Sequence, residues 1–269
     1  MNILITINQK YISQLQVLLK SIECSNPEEK FNIFILHKSL TKADEEKIES
    51  KVDLKRFKIN LIEVPKSEIN HFPVYEKRYP VEIYFRIFAA KYLPKDIDRI
   101  LYLDTDIIVL NDLKQLYNME FEDNYFIATT HIKKALHKFH EIRLNMPAQN
   151  IYMNTGVLLI NLNELRKIDI ETEVLAFVEK NKRKLMLPDQ DILSSLYGDK
   201  VKLIDEIKYN LGERSFNIYN FYHKDNQIDL EWVRKNTVII HYYGRNKPWN
   251  KNYIGKLNIF YNEIENKIK

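Results

Sequence analysis

Two aspartates, Asp104 and Asp106, interrupt the apolar run RILYLDTDIIVL between Arg99 and Leu110. A leucine-rich and β-branched run of this length reads as a buried strand, and charge inside such a segment is costly unless something pairs with it. At a strand end, with the chain turning between them, carboxylates spaced i and i+2 direct their oxygens into one small volume suited to a divalent cation. The plainer alternative is that one aspartate caps a following helix and the other is solvated. His241 closes a second apolar run, TVII, and stands before a glycine-containing turn. Two oxygens plus an imidazole suit Mn²⁺ better than Mg²⁺, because hard magnesium seldom takes nitrogen. Gly244 and Lys247 follow at intervals of three. A flexible backbone point and then a point charge would suit a diphosphate beside a metal, although a loop lysine is ordinarily just solvated.

Such residues need a frame. NILITI reads as a strand, and YISQLQVLLKSI follows with Ile12, Leu15, Leu18, Leu19 and Ile22 at helical spacing. FNIFILH and FKINLIEV are further strands, separated by a helix that Thr41 caps. After a helix around PVEIYFRIFAAKYL and the aspartate-bearing strand come YFIATT, MNTGVLLINL and a long helical stretch through ELRKIDIETEVLAFVEKNKR. This alternation predicts an α/β fold with a mostly parallel central sheet flanked by helices. Ligands of such sheets bind at the carboxyl ends of the strands, where Asp104 and Asp106 would lie. EIKYNLGERSFNIYNFYHKDNQ, without clear periodicity, reads as extended loop near a site. TVIIHYYGRNKPW reads as a last buried strand running into a loop. No repeat, low-complexity tract or linker interrupts the chain, which predicts one domain over residues 1–250 and a C-terminal extension over 251–269.

With 269 residues, 45% of them hydrophobic, the chain can bury a substantial core. No apolar run approaches the ~20 residues of a membrane span, and MNILITINQK lacks a basic leader and cleavage site. A cytoplasmic address is the expectation. The net charge of +4 comes from 41 basic and 37 acidic residues interspersed along the chain, which argues against a nucleic-acid partner. The single cysteine, Cys24, cannot form an internal disulfide. In the C-terminal stretch, Lys247, Lys251, Lys256, Lys267 and Lys269 interleave with Trp249, Tyr253, Phe260 and Tyr261. That mixture suits peripheral contact with the inner face of a membrane; the simpler reading is an amphipathic helix docked on its own core.

Six marks run in order nearly end to end: ITINQKY, YFRIFAAKYL, LYLDTDIIV, YMNTGVLLINL, LPDQDIL and HYYGRNKPW. In these the chain resembles glycosyltransferase family 8, the retaining sugar-nucleotide transferases that include bacterial lipopolysaccharide α-galactosyl- and α-glucosyltransferases and glycogenin. The resemblance implies a GT-A fold with a Rossmann-like nucleotide-binding half. It also implies transfer of galactose or glucose from a UDP-sugar to a glycan acceptor, either a bacterial surface polysaccharide, a lipid-linked glycan or a glycoprotein. By the same resemblance, Asp104, Asp106 and His241 would hold Mn²⁺, with Mg²⁺ less favoured, against the UDP diphosphate, which Gly244 and Lys247 would contact. Thr6, Ile7, Asn8 and Tyr11 would surround uracil and ribose, Tyr11 stacking on the base, with a main-chain contact from Thr105 to the ribose. Arg86, Asp104, Asn154, Gly156, Asp189 and Gln190 would line the donor-sugar pocket, with Asn154, Asp189 and Gln190 closest to the chemistry.

Retention of configuration ordinarily suggests a carboxylate nucleophile. The family pattern puts the neutral amide of Gln190 near that face, which favours front-face displacement, with Asp189 as the carboxylate rival. Many bacterial relatives carry an acidic residue where this chain has Asn8, so base preference is less tightly implied. Several residues have plainer readings: Arg86 as a helix-surface cation, Asp189 as the N-cap of QDILSSLYG, Tyr11 as a core aromatic. His131, His137 and His140 fall outside the marks and read as exposed helix. Of the loops PKSEINHFPVYEKRYP and KYNLGERSFNIYNFYHKDNQ, one is expected to close over the donor, with tyrosines against acceptor rings. A haloacid-dehalogenase-type phosphatase would carry its aspartate pair near the N-terminus. A catalytically silent UDP-sugar-binding protein on the same fold would more naturally have lost a metal ligand, and none is missing here.

Overall fold

Apolar alternation builds a sheet with two buried faces, seen in a computed structural model that describes residues 1–69, 72–73, 80–132 and 134–269. The strands are β1 (Asn2–Thr6), β2 (Phe31–His37), β3 (Phe57–Glu63), β4 (Arg99–Leu103), β5 (Ile107–Val109), β6 (Phe126–Thr129), β7 (Asn154–Asn161), β8 (Val201–Leu203) and β9 (Ile239–His241). Seven of them form a sheet in the order β3-β2-β1-β4-β7-β6-β8, and β5 pairs with β9 separately. All neighbours in the large sheet are parallel except β7, which runs antiparallel to both β4 and β6. Successive strand residues point to opposite faces. Leu4, Ile100 and Tyr102 accordingly enter one apolar cluster, and Ile3, Ile5, Leu101 and Leu103 enter another. A third cluster joins Ile108 of β5 and Ile240 of β9 to Phe260 and Ile264.

The helix Ile12–Ser25 buries the apolar positions its spacing predicted. Thr41 caps Lys42–Glu49 in a reciprocal capping box with Asp44. The stretch after Pro80 is helical but begins as a 3-10 segment, Val81–Phe88, before the short α-turn Ala89–Tyr92. The long helical stretch is broken into Leu162–Leu165 and Ile170–Asn181, the second capped by Asp169.

Two expectations are corrected. RILYLDTDIIVL is two strands: β4 stops at Leu103, the chain turns through Asp104, Thr105 and Asp106, and β5 restarts in the other sheet. The residues from Glu206 to Asn226, read as extended loop, are largely helical as Glu206–Tyr209, Glu213–Tyr222 and the 3-10 turn Lys224–Asn226. Helix Glu213–Tyr222 buries only Ser215 and Phe216, so it has no apolar stripe to betray it. The short strand β8 was not anticipated. Of the other candidate lid, Lys66–Ile69 is a helical turn, and residues 70–71 and 74–79 lie outside the described residues.

The C-terminal helix Asn258–Ile268 buries Phe260, Tyr261 and Ile264 in the third cluster, beside Val17 of the helix Ile12–Ser25. Trp249 and Tyr253 pack against the same cluster. Among the described residues, no helix is long and apolar enough to cross a membrane.

Candidate functional site

Strand direction gathers the site. The parallel strands β1 and β4 end at Thr6 and Leu103, and the antiparallel β7 begins beside them at Asn154. Leu103 pairs with Val157, and one step on the Asp104 N–H donates to the Gly156 carbonyl at 2.9 Å. From the small sheet, Ile107 pairs with His241, which fixes how the aspartate turn faces the histidine. Asp104, Asp106 and His241 each bring a ligand atom within 4.8 Å of the others. His241 Nε2 lies 3.1 Å from Asp106 Oδ1 and 3.7 Å from Asp104 Oδ2. Gly156 permits this approach, since a Cβ there would come within 2.2 Å of His241 Cε1 and 2.8 Å of Asp104 Oδ2.

A chain of amides sets the histidine's tautomer. The Gly156 N–H donates to Asn154 Oδ1 at 3.0 Å, which makes that oxygen the acceptor. Asn210 Nδ2 donates to the same oxygen at 3.0 Å and to Thr129 Oγ1 at 2.8 Å. Asn210 Oδ1 is thereby turned to His241 Nδ1, 2.8 Å away, and accepts its N–H. Nδ1 carries the proton of that bond, and Nε2 is the nitrogen that faces the carboxylates. An imidazole nitrogen and two carboxylates converging on one point are a donor set that fits a divalent cation, the nitrogen binding it in its deprotonated form. Asn210→Ala is expected to weaken Mn²⁺ binding by about 10–100-fold and, because Asn210 is fully buried and its partners lose their bonds, to destabilise the metal-free protein by about 1–3 kcal/mol. Isothermal titration with Mn²⁺ alone measures the binding, and melting curves the stability.

The other side of the aspartate turn is held by Arg86, which is buried and not a surface cation. Its Nη2 lies 2.9 Å from Asp104 Oδ1 and its Nη1 lies 3.4 Å from Asp189 Oδ2, while Nη1 also donates to the Thr155 carbonyl at 2.8 Å. The guanidinium sits 4.2 Å from the Tyr102 ring centroid, and the Tyr102 hydroxyl donates to Asp104 Oδ1 at 2.6 Å. Burial alone would pull the arginine's pKa down, yet Asp104 and Asp189 hold it above the usual range. Asp189 moves the other way: its burial raises the carboxyl above its ordinary value, against the opposing pull of Arg86 and a 2.6 Å hydrogen bond from the Thr155 hydroxyl. Asp106 would likewise be raised by burial, but Lys247 and His241 hold it well below the carboxylate range. Lys247 pairs with Asp106 directly and donates to the Tyr242 carbonyl at 2.9 Å.

Asp189 and Gln190 lie in the first turn of the helix Pro188–Tyr197, whose N-cap is Leu187, so Asp189 is not the cap. The turn before it is fixed by Asp191. This fully buried carboxylate accepts from Arg143 at 2.6 and 2.9 Å, from the Tyr152 hydroxyl at 2.6 Å, and from the backbone N–H groups of Met186 and Leu187. At the end of β1, the Thr6 hydroxyl is 3.2 Å from that of Tyr102. Ile7 is buried, Asn8 accepts from the Lys10 N–H, and Tyr11 is 37% exposed and so no core residue. Thr105 is half-buried within the aspartate turn. Gly244 adopts a φ of +86°, the left-handed conformation glycine enters freely.

Tyr102, Asn210, Arg143 and Asp191 were not singled out in the sequence. Tyr102 stands two residues before Asp104 and so points to the same side, which was readable. Asn210 had no such signal. Of the histidines, His140 is buried and stacks on Tyr152, His137 contacts Glu141, and His131 contacts Glu206 and stacks on Tyr243. Among the described residues, the groups able to hold a metal through three such side chains reduce to Asp104, Asp106 and His241.

Known proteins share this fold and sequence pattern. The model of glycosyl transferase family 8 matches residues 2–253. A lipopolysaccharide 1,2-glucosyltransferase of Escherichia coli is 28% identical over 249 residues, spanning 90% of this chain and 71% of that protein. A lipopolysaccharide 1,3-galactosyltransferase of Salmonella typhimurium is 24% identical across 92% of this chain and 72% of its own. The crystal structure of the galactosyltransferase LgtC in complex with donor and acceptor sugar analogs superposes with a TM-score of 0.84 at 26% identity, covering 99% of this chain and 96% of that one. With a matching frame and a family model over nearly its whole length, the chain belongs to glycosyltransferase family 8 and has the GT-A fold.

Proposed function

We propose that the protein transfers galactose or glucose, with retention of configuration, from a UDP-sugar to a glycan acceptor in a Mn²⁺-dependent reaction. The acceptor belongs to a bacterial surface polysaccharide, a lipid-linked glycan or a glycoprotein. The observation that carries this reading is the convergence of Asp104, Asp106 and His241 Nε2 beside the Arg86–Asp189 pair. In this reading residues 1–250 are the catalytic domain and 251–269 an extension. The cation held by Asp104, Asp106 and His241 supplies Lewis acidity toward the leaving diphosphate when bound. Lys247 moves from Asp106 to the phosphates, and the left-handed turn at Gly244 lets the backbone approach them. Thr6, Ile7, Asn8 and Tyr11 seat the uridine, and Thr105 meets the ribose through its main chain. Arg86, Asn154, Gly156, Asp189 and Gln190 line the sugar pocket. Asp189 accepts from sugar hydroxyls, and its rigid pairing with Arg86 and Thr155 makes it a poor mobile nucleophile. Front-face displacement beside the Gln190 amide follows.

The test is UDP release from a panel of UDP-hexoses with Mn²⁺, water serving as acceptor, followed by the same panel with glycan acceptors. Slow release from one sugar names the donor. UDP binding with no release under either condition would instead indicate a silent binding protein, and absence of UDP binding would overturn the reading.

A further inference from the structure

The face beside the sugar-pocket helix carries an apolar stripe with a basic flank. On the helix Lys134–Leu144, Leu136, Phe139 and Ile142 are 44%, 48% and 74% exposed, while His140 and Leu144 are buried. Met186, 53% exposed, extends the stripe. The two segments are tied together by Arg143, which lies 5.7 Å from the Phe139 ring centroid, donates to the Lys184 carbonyl, and pairs with Asp191, the acceptor of the Met186 N–H. In the segment that leads to Met186 stand the exposed Lys180, Lys182, Arg183 and Lys184, and Lys138 lies on the helix beside Phe139. Lys138 pairs with Glu141 and Lys182 with Glu179, so the positive charge next to the stripe is that of Lys180, Arg183 and Lys184. Single exposed apolar residues are ordinary, but a row of them flanked by net positive charge marks a docking surface.

We propose that this face docks on an anionic lipid bilayer. Apolar side chains suit the acyl boundary, and the cations beside them suit anionic headgroups. A second copy of the chain would bring the same basic flank against itself, since a twofold interface is self-complementary. The C-terminal stretch is a poorer match, because Phe260 and Tyr261 are turned into the core. The exposed Phe221, Tyr222 and Trp232 lie among Asp225, Asp229 and Glu231 as well as Lys224 and Lys235, a mixture with no net positive charge to draw an anionic surface. Met186 and Leu187 lead directly into the helix bearing Asp189 and Gln190. Docking therefore holds the helix that bears Asp189 and Gln190 close to the bilayer, a consequence that rests on the function proposed above and makes a lipid-linked acceptor the fitting class.

The full chain is to be sedimented with vesicles of equal parts phosphatidylglycerol and phosphatidylcholine, and with phosphatidylcholine alone. Binding to the anionic vesicles only is expected, reduced about tenfold or more by F139S/I142S and by R183E/K184E. An I254S/K256S variant is expected to bind as the unaltered protein does. UDP release with water as acceptor is to be measured on the same variants and is expected to stay unchanged, which separates lipid docking from turnover. No vesicle binding, full binding by F139S/I142S, or loss confined to I254S/K256S would overturn the proposal. So would light scattering showing a dimer that F139S/I142S dissociates.

Discussion

Asp106→Asn is expected to lower metal-dependent UDP release by about a thousandfold or more while leaving the protein folded. A bound cation contributes several kcal/mol of charge stabilisation to a departing phosphate oxygen, and each ~1.4 kcal/mol is a factor of ten in rate. Asp106 presents one oxygen to His241 Nε2 at 3.1 Å and the other to Lys247. The asparagine keeps the shape of the turn but removes a charge the cation needs, and it leaves Asp104 already engaged by Tyr102 and Arg86. Lys247 loses its partner, yet its side chain is 23% exposed and reaches water, so the loss of stability stays near 1 kcal/mol. Rates of UDP release with Mn²⁺, set beside circular dichroism and melting curves, measure both effects. A folded Asp106→Asn protein with undiminished release would remove Asp106 from the metal site.

Much of this site was legible because its polar residues break apolar patterns. Asp104, Asp106 and His241 each end a greasy run, and a charge or imidazole there has little reason to exist apart from a partner. The parallel strands β1, β2 and β4 were equally clear, being largely apolar on both faces, and β3 alternates Phe57, Ile59 and Leu61 with Lys58 and Asn60. What stayed hidden depends on contacts between distant segments. The apolar flanks of Asp104 and Asp106 are continuous in character, so nothing local announces that β4 and β5 belong to different sheets. Arg86 lies in YFRIF, where a cation among apolar residues reads equally as a surface residue or a buried ion pair. Its partners decide the matter, and they come from the turn after β4, from β7 and from the helix Pro188–Tyr197. Asn210 follows a short helix, where asparagine is ordinary, and acquires its role from His241 across 31 residues. Helix Glu213–Tyr222 was misread because two of its four aromatics, Phe221 and Tyr222, face solvent, which blurs the periodicity that signals a helix.

Removing the guanidinium that joins the two halves of the site should have the larger structural effect. Arg86→Met is expected to destabilise the protein by about 3–5 kcal/mol, the range for breaking one side of a buried ion pair, and to lower the melting temperature by roughly 10 °C. The side chain is 5% exposed and satisfies Asp104, Asp189 and the Thr155 carbonyl at once. Methionine fills similar volume but leaves Asp189 buried with the Thr155 hydroxyl and a main-chain N–H as its partners. Burial already holds the Asp189 carboxyl above its ordinary value, against the pull of Arg86. Without that pull its pKa rises further, and a carboxyl whose folded pKa exceeds its unfolded one gains stability as pH falls through the folded value. The difference in stability between Arg86→Met and the unaltered protein should therefore narrow between about pH 8 and about pH 5. Arg86→Lys restores a charge without the planar fork, so it should recover stability only in part and donor-sugar binding less. Urea unfolding at both pH values measures the first effect and KM for the UDP-sugar the second. Equal stability of Arg86→Met and the unaltered protein at about pH 8, or a difference that widens on acidification, would show that Asp189 is not held by Arg86 in the folded protein.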